Sequence, residues 1–191
     1  MATTLLPFRD YDEHDVINLF AFDGELTKGH MVALDQTANK TWEANNELDH
    51  LSMGGLSTDN FAVSSRYGVQ SKIVTASGAH APLGMTLYDV KETDENGEKL
   101  VFNPRKAAEM EVALSGQAVP VMTRGVVLYS GTQLASDNPA AGALLYHKDG
   151  GELTTTSGSS QLPVGHALGR TGENGEVLVR IDINGNLAIG R

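Results

Sequence analysis

The sequence predicts an all-β protein, and three observations carry that prediction. Short apolar runs recur at intervals of about 8 to 12 residues, the spacing of β-sandwiches and barrels. Turn residues separate them, with 21 glycines against six prolines, which suits short strands better than long helices. The third observation is a repeat. Thr75-Ala76-Ser77-Gly78, Pro82-Leu83-Gly84 and Glu95-Asn96-Gly97-Glu98-Lys99-Leu100-Val101 form one copy. Thr155-Thr156-Ser157-Gly158, Pro163-Val164-Gly165 and Glu173-Asn174-Gly175-Glu176-Val177-Leu178-Val179 form the second, at offsets of 80, 81 and 78 residues. The expected architecture is two tandem small β-sandwich or barrel-like modules, with a short helix between them and an extended N-terminal arm.

The arm covers residues 1–22. Leu5-Leu6-Pro7-Phe8 is apolar, Asp10 to Asp15 is acidic, and Val16 to Phe22 reads as a buried strand. An apolar tip ahead of a solvated acidic stretch fits either a segment docking on a neighbouring subunit or a terminal strand in its own core. Module 1 covers residues 23–102. Gly29 to Leu34, Phe61 to Ser65, Lys72 to Thr75 and Gly84 to Val90 read as strands. Residues 36–60 are polar and contain Trp42, the only tryptophan; so long a loop in a small module suggests a functional or partner-packed segment. Asn96-Gly97 predicts a type I′ hairpin into a strand at Leu100-Val101-Phe102.

Module 2 covers residues 103–191. Asn103 is a good N-cap and Pro104 suits a first helical turn, so a short helix is expected at about 104–109. Met110, Val112 and Leu114 then alternate with Glu109, Glu111 and Ala113, a period of two that predicts a strand. Ala118 to Met122 and Gly125 to Tyr129 are further strands, and Gly131 to Ala141 reads as a loop. Ala143 to His147, Leu153 to Thr156, Val164 to Leu168 and Val177 to Ile183 complete the set, with a last hairpin at 184–189. Upstream, Thr27-Lys28-Gly29-His30-Met31-Val32 parallels Thr123-Arg124-Gly125-Val126-Val127-Leu128.

At 191 residues the chain can bury one sizeable core or two small ones. The formal charge of −10, from 24 acidic and 14 basic residues, repels phosphate backbones and argues against nucleic acid as a partner. Cysteine is absent, so disulfides and thiolate metal sites are out, as suits a reducing host cytoplasm. The N-terminus lacks the basic and apolar regions of a signal peptide, and no window reaches the ~18 apolar residues of a membrane span. A soluble, unprocessed product with no membrane partner is expected.

Reactive chemistry is hard to assemble. The histidines at 14, 30, 50, 80, 147 and 166 share no metal-ligand spacing, though His147 and His166 on predicted strands invite a facing pair. Asp94 to Glu98 and Asp182 to Asn186 lack the calcium-loop pattern and read as turns. Glu109 and Glu111 would share a strand face, but glycosidase carboxylates come from separate strands. No G-x-S-x-G elbow and no glycine-rich phosphate cradle occurs. We therefore expect no enzyme, no catalytic residue, no metal and no cofactor.

The second module resembles the capsid decoration, or cement, proteins of tailed bacteriophages. The resemblance rests on the Thr-Arg-Gly strand, Gly142-Ala143-Leu144-Leu145-Tyr146, Leu153 to Thr156, Leu162 to Leu168, and Asn174 to Arg180, and covers roughly residues 117–183. It is similar to that family in a strand ending Gly165-His166-Ala167-Leu168, followed by a closing strand from Gly175. It implies a virion component on the capsid surface that stabilises the shell, bound to the major capsid protein and to copies of itself, with a trimer on local threefold axes. On this reading Leu5, Leu6, Pro7 and Phe8 dock on a neighbour, and Trp42 is either a second contact or a core residue. The competing readings are a tail or baseplate β protein and a carbohydrate-binding module. The latter would need a row of exposed aromatics, and aromatics are only 6% of the chain.

Overall fold

The computed structural model describes residues 4–7, 15–22, 24–35, 72–78, 80–158 and 161–183. Phe8, Trp42, the expected strand at 61–65 and the expected hairpin at 184–189 lie outside the described residues. The fold is all-β. Strands β1 (Thr4–Pro7), β9 (Arg124–Ser130), β10 (Leu144–His147), β11 (Leu153–Thr154), β12 (Gly165–Ala167) and β13 (Val177–Asp182) form one antiparallel sheet, in the order β1-β9-β13-β12-β10-β11. Strands β2 (Val16–Ile17), β3 (Met31–Leu34), β4 (Ile73–Thr75), β5 (Pro82–Thr86) and β8 (Val121–Met122) form a second, ordered β2-β8-β5-β3-β4. β6 (Asp89–Val90) and β7 (Val112–Ala113) make a small parallel pair.

The sequence repeat is a repeat of topology. β5-β3-β4 in one sheet matches β12-β10-β11 in the other, each with a central strand flanked by the two strands that carry the repeated motifs. The repeated Pro-x-Gly has a steric cause. A Cβ at Gly84 would overlap the carbonyl oxygen of Met122, and one at Gly165 would overlap that of Arg180. Both glycines let a neighbouring backbone come close. The repeated Asn-Gly turn is also the same in both copies. Gly97 N–H donates to Asp94 O at 3.1 Å and Asp94 N–H to Glu98 O at 3.0 Å; Gly175 to Gly172 and Gly172 to Glu176 copy this at 3.1 and 2.7 Å. Only the glycines have positive φ, 81° and 83°. These are three-residue hairpins ending in a left-handed glycine, not the expected type I′ turns, which need positive φ at both positions.

The five-stranded sheet is buried on both faces. Met31, Ala33, Met85 and Met122 face Val127, Tyr129, Leu145, Leu153, Val177, Val179 and Ile181 of the six-stranded sheet. Val32, Ile73 and Val121, alternating with them, face Phe22, Leu26, Val90, Ala113 and Val119 on the other side. A third small cluster joins Leu100, Ala107 and Val112, with Met110 and Leu114 packed against it. Strand pairing crosses the expected boundary at residue 102. β8 from the second segment lies between β2 and β5, and the arm supplies an edge strand to each sheet. Among the described residues, no helix is long and apolar enough to cross a membrane.

Helix α1 (Pro104–Glu109) starts where Asn103 Oδ1 accepts a hydrogen bond from Lys106 N–H at 3.3 Å. The expected strand at Leu100–Phe102 is instead a 3₁₀ turn, because β8 occupies the place beside β5 that the strand would have filled. The expected loop at 131–141 contains helix α2 (Thr132–Asp137), anchored by fully buried Leu134 and closed by Asn138 in the left-handed conformation. Glu109 ends α1, and Glu111, at φ 53°, sits in the turn that follows it. The two carboxylates therefore share no strand face. The upstream parallel fails as well: β3 corresponds in position to β10, and β9 to no strand of the first copy.

Asp137 fastens α2 to the sheet edge. Its Oδ2 accepts from Thr154 Oγ1 at 2.7 Å and from Thr155 N–H at 2.8 Å, and its Oδ1 accepts from Gln133 Nε2 at 2.9 Å. Burial pushes the carboxyl up, but these donors together hold it below the ordinary carboxylate range. A lowered folded value stabilises above the unfolded value and is lost as pH falls. Replacing Asp137 with Ala should cost about 2 kcal/mol at pH 7. The melting temperatures of wild type and variant should converge as pH drops below the ordinary carboxylate value of about 3.9. Gly165→Ala should cost about 2 kcal/mol through backbone displacement. Gly97→Ala, with nothing within 4 Å of its Cβ position, should cost about 1 kcal/mol through positive φ alone. Urea midpoints check both values.

Candidate interaction surface

The 3₁₀ turn carries the most exposed large apolar side chain among the described residues. Phe102 is 84% exposed, against 37–46% for Leu34, Tyr88, Val101, Leu144, Leu162 and Leu168. The turn is anchored from below. Leu100 is fully buried, and its N–H donates to Glu92 O at 2.9 Å. Phe102 N–H donates to Lys99 O at 3.2 Å, and Asn103 N–H to Leu100 O at 2.9 Å. Val101, Phe102, Asn103, Pro104 and Arg105 are exposed in succession.

An ionic cluster fixes the base of this tip. The Asp94 carboxylate has no exposed surface and pairs with the Lys106 ammonium of α1. Its Oδ1 accepts Asn96 N–H and Glu98 N–H, each at 2.8 Å. Glu95 Oε1 reaches the same ammonium at 3.1 Å. The hydrogen-bonded Lys106 holds the Asp94 carboxyl below its ordinary range, against burial and with help from the two backbone donors. In turn, Asp94 and then Glu95 raise the Lys106 ammonium. This accounts for the acidic stretch at 94–98 as turn chemistry: the carboxylate is already satisfied by its own hairpin and by α1.

The outward face of the six-stranded sheet is a second surface. Val126, Arg180, His166 and Leu144 line up across four strands, and Leu128 pairs with Leu178 beside them. Leu6 holds the register position opposite Leu128 on β1. All of the residues from β9 to β13 named here are half-buried or exposed.

Histidines and carboxylates do not converge. His147 is buried, and its Nε2 donates to Ser77 O at 2.9 Å, tying β10 to the loop before β5. His166 stands on the opposite face, paired in register with Leu144 and Arg180. The expected facing pair therefore does not form, because positions 147 and 166 point to different sides of the sheet. A cavity of about 390 Å³ is lined by Glu25, His30, Lys91, Leu26 and Val90 among others, and His30 Nδ1 donates to Thr27 O at 2.7 Å. Among the described residues, no group of three His, Asp or Glu side chains is placed to hold a metal ion.

Comparison with protein families matches residues 54–184 to the family described as structural cement protein (E217 gp24/Pam3 gp6). The chain belongs to that family. Its role is to stabilise a phage capsid as a structural component, and capsid association comes with that membership. Comparison with curated proteins returned no match.

Of the contact residues expected for this cement protein, Leu5, Leu6 and Pro7 lie on β1, which pairs with β9 of the same chain from Thr4↔Ser130 to Pro7↔Val127. Phe8 and Trp42 lie outside the described residues. The Phe102 tip escaped sequence reasoning because Leu100-Val101-Phe102 follows an Asn-Gly turn and has strand composition. A signal was present, since the Asn103-Pro104 helix start comes immediately after Phe102 and leaves little room for a strand.

The Asp94–Lys106 pair is open to a double-mutant cycle. Asp94→Asn and Lys106→Met should each lower the melting temperature at pH 7. The double variant should lose less than the sum of the two, because each single change strands a partner. As pH falls through the lowered Asp94 value, the wild type should lose the same advantage. Additive losses would mean that the two groups do not act together.

Proposed function

We propose that this cement protein binds the outside of a finished capsid, contacting the major capsid protein and neighbouring copies of itself, and strengthens the shell without bond-making chemistry of its own. The family match over residues 54–184 carries this reading. The cysteine-free composition suits synthesis in the host cytoplasm before assembly on the virion. Cross-strand hydrogen bonding in two stacked sheets resists shear, and repeated docking on a symmetric lattice adds avidity to weak single contacts. A charge of −10 keeps decorated particles apart in solution. A trimer on local threefold axes is the oligomer this reading favours.

Within this reading, Leu5, Leu6, Pro7 and Phe8 form a docking arm, and Trp42 is a second contact. Two observations support the arm: β1 lies at one end of the six-stranded sheet, and its described pairing is to β9 alone. The purified chain should co-sediment with undecorated capsids. Deleting residues 1–13 should leave the circular dichroism β-rich and weaken binding at least tenfold. Full retention of binding by the truncated chain would remove the arm's role, and no sedimentation of the intact chain would remove the whole reading.

A further inference from the structure

We infer that Val101 and Phe102 form an apolar plug that inserts into the capsid shell, an anchor separate from the N-terminal arm. The inference rests on the capsid-binding reading and names a contact within it. The first observation is a divergence between the two copies. After Gly175 the second copy runs into β13, an inner strand of the six-stranded sheet. After Gly97 the same motif leaves the sheet as a 3₁₀ turn, and β8 takes the vacated place beside β5. A segment with strand composition has thus been diverted outward, and its aromatic residue is 84% exposed.

The second observation is how firmly the exposed residue is held. Buried Leu100 lies two positions before it, a capped helix begins two positions after it, and the buried Asp94 carboxylate clamps hairpin to helix through Lys106. A fixed aromatic loses little conformational entropy on docking, and buried aromatic anchors dominate the energetics of interfaces. The occupant follows from the family: the shell is the partner that membership in a capsid cement family supplies.

The test compares wild type, Phe102→Ser, Phe102→Leu and the control Leu162→Ser in co-sedimentation with undecorated capsids, alongside thermal melts and sedimentation velocity. Phe102→Ser should bind at least tenfold more weakly with an unchanged melting temperature and unchanged mass in solution. Phe102→Leu should restore most of the binding, and Leu162→Ser should bind like wild type. Equal binding by Phe102→Ser would overturn the plug while leaving the capsid-binding reading intact. A loss of oligomer mass in Phe102→Ser would reassign the residue to a contact between copies and overturn the inference. Failure of the wild type to sediment would overturn the capsid-binding reading, and the plug with it.

Discussion

Strand β3 carries three consecutive side chains without exposed surface, Met31, Val32 and Ala33, and the fold depends on the two cores that this run joins. Successive residues of a strand point to opposite faces, so the run is possible only in a sheet covered on both sides. Met31 and Ala33 close the core shared with the six-stranded sheet, and Val32 closes the core under Phe22, Leu26 and Val119. A one-residue slip would exchange the two sets. The register is further pinned from the second copy. Met31 N–H donates to Gly151 O at 2.7 Å, and a Cβ on Gly151 would overlap the Met31 carbonyl oxygen.

That shared layer packs the two repeats against each other. Each copy keeps its three-stranded unit within one sheet, yet neither unit has a complete core without the other. Further ties run across the seam. His147 reaches Ser77, and Gly78 N–H donates to Asp149 Oδ1 at 2.8 Å. For a protein whose role is to stabilise a capsid, the arrangement makes sense mechanically. Load on either sheet passes through close-packed side chains to the other, and packed interiors transmit strain.

Much of this was legible in the residues. Alternating apolar runs located most strands, and Asn103-Pro104 marked α1. The repeat identified the two matching units. The misreadings have a common cause, since each depends on a partner far away in sequence. Leu100 to Phe102 has strand composition, but β8 fills the vacancy from twenty residues downstream. Thr132 to Asp137 holds good formers in Gln133, Leu134 and Ala135 but spans only six residues between Gly131 and Asn138, and its helix is set by Leu134 in the core and by Asp137 reaching Thr154 and Thr155. Local composition gives no sign of either contact. The exposed tip was missed for the same reason, because exposure is decided by which strand wins the neighbouring slot.

The Asp137 clasp has one more consequence. Exposed sheet margins invite other polypeptides to add on, the first step toward fibrous aggregates. At the β11 margin the amide of Thr155 is already engaged by a carboxylate, and α2 lies across the approach. Lateral growth by this sheet is therefore blocked on one flank, so a second molecule joining at the β1 flank ends the series instead of extending it. For a component of a capsid, such one-sidedness favours closed pairs over open-ended fibres.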